Sequence, residues 1–262
     1  MASILNNVSA LGASRQLAST SAGLNQTIER LTTGRRINRA SDDAAGLGIS
    51  NRLGADIRIA SQGKRNANDG ISYLQVADGV LDEVTNLLTR AAELAEQAKT
   101  GTISTSNAAN IQLEFANIIT TINDIGSNTK FNGANIFGAT LTVSVGDFTN
   151  VGVTLGTPNG ILTGSLATVS DATTAKTTIG NAINSVSALR ASIGASQQQL
   201  QAVANSLGIQ VENFTSAYSQ IRDANIADEV VNLTKFQILN QSGTSALSSA
   251  NQSQQQILAL LQ

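Results

Sequence analysis

Asp78, Asp82, Glu83, Glu93 and Glu96 place five carboxylates on one short stretch. Paired carboxylates can do general acid–base work or hold a hard cation. A second cluster, "GRRINRASDD", sets Arg35, Arg36 and Arg39 beside Asp42 and Asp43. Little else in the sequence supports catalysis. There is no His, the commonest general base and transition-metal ligand, and no Cys, so thiol chemistry and disulfides are absent. Gly46 to Gly48, "GLG", lacks the preceding strand and the Lys-Ser/Thr of a phosphate loop. The five carboxylates fall at spacings typical of a hydrated helix face, and the Arg/Asp cluster reads in isolation as a solvated turn with local ion pairs. The expectation is a protein that is not an enzyme, with no catalytic set, metal or cofactor.

Composition narrows the remaining classes. Charged residues are 13% of 262, against about 25% in ordinary soluble domains. A net charge of −2 gives no basic excess for nucleic-acid phosphates. Aromatics are 3%, few for a ligand pocket. "MASILNNVSALGASRQL" has no charged side chain before Arg15 and no unbroken apolar run, so it does not read as a cleaved secretory signal. No run is long and apolar enough to span a membrane as a helix.

The elements follow from periodicity. Steps of four and three carry a heptad seam from Ile179 through Ile183, Val186, Arg190, Ile193, Gln197, Leu200, Ala204, Leu207, Val211, Phe214 and Tyr218 to Ile221. A second seam runs Leu74, Ala77, Leu81, Val84, Leu88, Ala91, Ala95, Ala98, and a third Ile111, Phe115, Ile118, Ile122, Ile125. Asp171 is the expected N-cap of the C-terminal helix. Between the helices, "FNGANIFGATLTVSVGDFTNVGVTLGTPNGILTG" is rich in Gly, Thr and Val. Leu141, Val143 and Val145 alternate with polar residues, as do Val151, Val153 and Leu155, with "GDFTN" as the turn. Pro158, the single proline, also falls here.

Both chain ends carry apolar stripes. Ile4, Val8 and Leu11 begin one, and Leu17, Leu24, Ile28 and Leu31 continue it after a register shift. Leu233, Phe236, Asn240, Gly243, Leu247, Ala250, Gln254, Ile257 and Leu261 form the other, with Leu258 beside it. The expected fold is mainly α: long antiparallel coiled-coil-like helices, a small β-hairpin region and paired N- and C-termini. Charge is scarce at both ends. Arg15 is the one charged side chain in residues 1–28, and none follows Lys235. A soluble helix pair normally keeps charge on its outer positions. Small neutral faces suit packing against further protein, because no charge need be desolvated. Two frayed tails are the plainer reading. The sharper one is that the ends order when other subunits supply the missing walls.

"LTTGRRINRASDDAAGLGIS" (Leu31 to Ser50) resembles the N-terminal signature of bacterial flagellin. "SQIRDANIADEVVNLTKFQILNQSGTSALSSANQSQQQILALLQ" (Ser219 to Gln262) resembles its C-terminal block. "TKFNGANIFG" and "IGASQQQL" resemble the family's turn into its β region and its returning helix. The matching blocks lie in order over residues 1–138 and 171–262.

The resemblance implies a short flagellin with inner and middle domains only, lacking outer inserted domains. Residues 1–40 with 226–262 would form the inner, D0-like terminal-helix domain. Residues 41–225 would form the D1-like middle domain, with its β region at about 131–170. It implies a structural subunit that polymerises into the flagellar filament for swimming motility. Ile4, Val8, Leu11, Leu24, Ile28, Leu31, Leu233, Phe236, Leu247, Ile257, Leu258 and Leu261 are the expected polymerisation residues. Arg35, Arg36, Arg39, Asp42 and Asp43 would form a spoke touching neighbouring subunits. The implied partners are other copies of the chain, the flagellar cap, junction proteins, an export chaperone and the type III export apparatus. Neither nucleic acid nor membrane insertion is implied, and the implied location is extracellular.

"LTRAAELAEQ" resembles the segment read by the vertebrate Toll-like receptor for flagellin, which implies contact through Leu88, Arg90, Leu94 and Glu114, although the primary role expected of Leu88, Leu94 and their neighbours is in the core or a subunit interface. Thr89 and Ala92 depart from that pattern, standing where Gln and Arg are usual. Two alternatives remain open at this point. One is the hook–filament junction protein of the same superfamily, although the full C-terminal block and intact "RINRASDDAAGLGIS" favour flagellin. The other is a membrane-active secreted helical protein, although these ends lack the Lys/Arg and Trp/Phe faces such helices carry.

Overall fold

A computed structural model describes residues 7–100, 102–146, 148–158 and 164–259. Five helices, α1 (Val8–Thr33), α2 (Ala44–Ala98), α3 (Thr105–Asn128), α4 (Val169–Arg222) and α5 (Ile226–Ala259), carry most of the chain. Four short strands, β1 (Lys130–Phe131), β2 (Ala134–Asn135), β3 (Ala139–Val143) and β4 (Val151–Leu155), separate α3 from α4. The chain divides into two units: Met1–Asp56 with Asn213–Gln262, and Ile57–Glu212.

The apolar core belongs to the Ile57–Glu212 unit. Leu74, Ala77, Leu81, Val84, Leu88, Ala91 and Ala95 of α2 are buried, each at a position of the expected seam. Ile111, Phe115, Ile118 and Ile122 of α3 join them, as do Ile179, Val186, Ile193, Leu200, Ala204 and Leu207 of α4. Alanine at every second or third seam position lets the helix axes approach, while Leu, Ile and Phe fill the space between.

Antiparallel β3 and β4 pair Leu141 with Val153 and Val143 with Val151. Val143, Val145, Val151, Val153 and Leu155 turn one face of this hairpin into the core. Two glycines of α2, one heptad apart, make room for it. A Cβ on Gly63 would lie 2.9 Å from the Val145 carbonyl carbon, and one on Gly70 2.7 Å from Val143 Cγ2. Between them Asn66 donates to the Ser144 carbonyl at 2.8 Å. One turn on, Tyr73 donates to the Ile136 carbonyl at 3.1 Å and meets the edge of Phe131 with ring centroids 5.3 Å apart. A tight β1–β2 hairpin precedes β3. Asn132 and Gly133, both at positive φ, form its turn, as the Asn-Gly preference for such loops dictates.

The N-cap of α4 corrects one expectation. Thr168, not Asp171, caps the helix: its Oγ1 accepts from the Asp171 amide at 3.1 Å and its carbonyl from the Ala172 amide. Asp171 sits in the first turn, where a carboxylate favours the helix dipole.

In the other unit, α1 and α5 pack antiparallel. Ile37 is its one buried hydrophobic side chain among the described residues. Thr20, Thr27, Ser50 and Glu229 are buried polar residues of the same unit.

Candidate assembly surface

The α1–α5 pair meets through small and polar residues. Arg30 Nη1 lies 3.2 Å from Glu229 Oε1. One heptad back, Gly23 faces Phe236 so closely that a Cβ would lie 2.7 Å from the ring. Asn240 donates to Ser21 Oγ at 3.0 Å, Gly243 packs against Leu17, and Asn7 donates to the Ala250 carbonyl at 3.1 Å. Leu17, Leu24, Leu31, Leu233, Phe236 and Leu247 are half-buried along this line. Val8, Leu11 and Ile28 are exposed instead, as are Ile226, Val230, Val231, Ile238 and Leu239 of α5. Val8 is 70% exposed, and Val231 and Ile238 are 65% exposed. The terminal stripes therefore pair only in part: one line of each helix faces its partner, and a second apolar line faces outward. Ile4 and Leu261, and the side chains of Gln254, Ile257 and Leu258, lie outside the described residues.

The Gly34–Asp43 segment is a hydrogen-bonded turn within the terminal unit. Gly34 ends α1 in the left-handed conformation, which glycine adopts without steric cost. Arg35 bridges to Asp223, the Arg36 amide donates to the Arg222 carbonyl at 2.7 Å, and the Arg36 guanidinium donates to the Ile221 carbonyl at 2.8 Å. Arg39 pairs with Glu29 at 3.1 Å.

The two aspartates order backbone more than they pair with arginine. Asp42 Oδ2 accepts from the Asn38 and Arg39 amides, each at 3.0 Å. These bonds, the Arg39 amide foremost, hold its carboxyl below the usual carboxylate range. Asp43 is the N-cap of α2, with Oδ1 accepting from the Gly46 amide at 2.8 Å.

The acidic residues of α2 are occupied by cations. Arg190, at a polar seam position of α4, reaches Asp78 at 2.9 Å and Asp82 at 2.7 Å. Glu93 and Glu114 share Arg90. Glu96 takes Lys176 at 2.6 Å and Lys99 at 3.4 Å, and the Lys176 bond above all lowers its carboxyl. Glu83 stands exposed. Among the described residues no His/Cys/Asp/Glu group is arranged to hold a metal ion, and no helix is long and apolar enough to cross a membrane.

A profile of the bacterial flagellin N-terminal helical region matches residues 4–142, and one of the flagellin C-terminal helical region matches residues 177–261. The chain belongs to the bacterial flagellin family. It is 35% identical to flagellin FlaB1 of Treponema pallidum (strain Nichols) and 36% identical to a flagellin of Halalkalibacterium halodurans. Each alignment covers 98% of this chain and 99% of the relative. The flagellar filament 41 kDa core protein of Borreliella burgdorferi is 31% identical, with the same coverage. The crystal structure of Bacillus cereus flagellin shares the fold, with a TM-score of 0.52 and 24% identity over 55% of this chain and 88% of that one. The match is to a short flagellin without outer domain insertions, a structural rather than an enzymatic family.

Within that family frame, the structure divides the four residues of the implied receptor contact between core and surface. Leu88 and Leu94 are each 1% exposed and lie in the core. Neither can meet a partner while the middle unit is folded. Arg90 and Glu114 alone remain at the surface, joined at 2.9 Å.

Proposed function

We propose that this chain is a repeating subunit of the bacterial flagellar filament and that its terminal helices carry polymerisation. The observation behind this reading is the outward apolar line of α1 and α5: Val8, Leu11, Ile28, Ile226, Val230, Val231, Ile238 and Leu239. Burying a Val, Leu or Ile side chain stabilises an assembly by roughly 1.5–3 kcal/mol. Several together, with few charges to desolvate, suit packing against the same helices of other copies. Flagellar filament core proteins among the relatives add weight.

The inner domain of this reading is residues 1–40 with 226–262, and the middle domain is 41–225. These bounds fall at the turn that follows α1 and at the short link before α5, both inside the terminal unit of the fold. Arg35, Arg36, Arg39, Asp42 and Asp43 form the spoke between them. The mechanism is mechanical: a helical polymer of these subunits turns motor torque into thrust. Subunits leave the cell unfolded through the flagellar type III export channel, escorted by a chaperone, and fold beneath the distal cap, with junction proteins at the base. The absence of cysteine suits such a route, since no disulfide needs reduction before threading.

Electron microscopy of purified chain seeded with sheared filament fragments tests the reading. The parent is expected to elongate the seeds, and Val231→Lys/Ile238→Lys is not, while the variant's thermal unfolding stays close to the parent's. Filaments of normal length from the variant would sink the assignment of polymerisation to this face.

A further inference from the structure

The seam of α1 is degenerate. Leu17, Leu24 and Leu31 recur every seven residues, with Thr20 and Thr27 between them at the same interval. On α5, Leu233, Asn240 and Leu247 alternate with Phe236, Gly243 and Ala250. Sliding one helix past the other by one heptad returns Leu to Leu and Thr to Thr on α1. Period alone therefore does not fix which residue of α1 meets which residue of α5.

Beside the Asn240–Ser21 and Gly243–Leu17 contacts and the backbone bonds of Gly34 and Arg36 to Ala224 and Arg222, two contacts discriminate by shape and by charge, and they are themselves one heptad apart: Gly23 against Phe236, and Arg30 against Glu229. The first is a match of shape, a ring seated where a Cβ would stand. The second is a match of charge with little solvent around it, since the Glu229 side chain is 10% exposed. A slip in one direction would set Arg30 against Phe236, and a slip in the other would set Gly23 against Glu229. Either leaves a charge facing an apolar or empty position. We infer that Gly23–Phe236 and Arg30–Glu229 form a register code that selects one alignment of α1 on α5.

The ion pair is imperfect in a way that suits selection better than stabilisation. Arg30 Nε and Glu229 Oε2 are buried without hydrogen-bond partners. A half-satisfied pair contributes little net stability, whereas separating its members is strongly unfavourable. A polar group at a seam position fixing alignment is the best-attested use of such pairs. The inference stands independently of polymerisation, because both contacts lie within one chain.

The absence of native cysteine allows a clean test by engineered disulfides in the full-length protein. Ser21→Cys/Asn240→Cys reports the native register, where these side chains are 3.0 Å apart. Ser21→Cys/Leu233→Cys and Ser21→Cys/Leu247→Cys report slips of one heptad in either direction. In the parent background the native link is expected to exceed either slipped link by ~100-fold, the ratio that stranding a buried charge enforces. With Glu229→Leu and Phe236→Leu both present, a slipped link should rise to within about threefold of the native one, since Arg30 then faces a leucine at position 229 or 236 and neither alignment pairs its charge. The exchange Arg30→Glu/Glu229→Arg in the parent background should keep the native link dominant, since the charges still meet in that alignment alone. Three results overturn the inference. One is exclusive native linking in the Leu/Leu background. Another is loss of all three links there, which would make the contacts necessary for pairing rather than for register. The third is a parent that links in several registers or in none.

Discussion

The two units share one periodicity and have opposite interiors. In Ile57–Glu212 the 3-4 steps of α2, α3 and α4 converge on Leu, Ile, Val, Ala and Phe, and the β3–β4 hairpin adds its own apolar face. In the terminal unit the same steps bring together Thr20, Thr27, Gly23, Gly243 and Asn240 with half-buried leucines and Phe236, and a second line of large apolar residues turns outward. A helix pair buries one stripe on each partner, so a two-stripe helix is left with work for a third surface. The lesson is about where stability resides. The middle unit is completed by its own chain, whereas the terminal unit holds an alignment and offers a face, which is the division of labour a polymer subunit requires.

Hydrogen exchange on the unassembled protein should expose this contrast most strongly. Amides of Leu74–Ala95 are expected to exchange at rates set by global unfolding. Those of α1 and α5 should exchange by local opening, orders of magnitude faster. In a seeded polymer the terminal amides should slow towards the middle unit's rates. Equal protection of both units in the free chain would erase the distinction.

Within the middle unit, Phe115→Ala should cost about 3–5 kcal/mol, because the ring is almost wholly buried and the surrounding helices cannot collapse onto the space. Thermal or urea unfolding followed by circular dichroism measures it. A loss below about 1 kcal/mol, the range of surface substitutions, would show that α3 is not integral to the core.

A smaller effect is expected at Arg190. Replacement by Met keeps the stem but leaves Asp78 and Asp82 facing each other one helical turn apart. Its head group is about a third exposed, so solvent screening limits the loss to about 1 kcal/mol. Pairing the change with Asp78→Asn should return much of it. A double variant as unstable as the sum of the two singles would show that the residues do not interact.

The middle unit was largely legible in the sequence because apolar seams and apolar burial coincide there. Leu74–Ala95, Ile111–Ile122 and Ile179–Leu207 needed only counting, and the β3–β4 hairpin followed from alternation. The β1–β2 hairpin was missed although Asn132-Gly133 is its standard signal, since the strands are too short to alternate. α2 begins thirty residues before its expected seam, at Ala44 rather than Leu74, because its first half lacks a continuous apolar stripe. Gly63 and Gly70 look like helix breakers until the hairpin pressed on them is seen. At Thr168, a residue type shared by many neighbours hid the cap. The pairing of the two chain ends was legible too, but only in part: counting found Leu17, Leu24, Leu31, Leu233, Phe236 and Leu247 on the shared line, while it also selected Val8, Leu11 and Ile28, which face outward, and passed over Thr20, Gly23 and Thr27. For Leu88 the seam count and the likeness to a receptor-binding segment pointed in different directions, and burial at Leu88 and Leu94 follows the seam.

The smallest predicted effect sharpens the view of the terminal unit as one ordered by polar contacts. Asp42 holds the Asn38 and Arg39 amides, and those bonds exist at full strength only while its carboxyl is ionised. Folding lowers its pKa from the ordinary value. The unfolded chain therefore takes up the proton more readily than the folded one as pH falls. The stabilisation is fully present above the ordinary carboxylate range and is lost as pH drops through the lowered folded value. Asp42→Ala should cost less than about 1 kcal/mol at neutral pH, as its solvent-accessible position requires. The parent–variant difference should stay flat from neutral pH down to about 4, the ordinary carboxyl range, and shrink below it. Exchange at the Asn38 and Arg39 amides, compared between parent and variant across that range, isolates the turn from the middle unit. A difference that grew as pH fell would mean that the neutral acid, not the carboxylate, holds the turn, and that the Arg/Asp cluster is ordered by something other than the bonds drawn here.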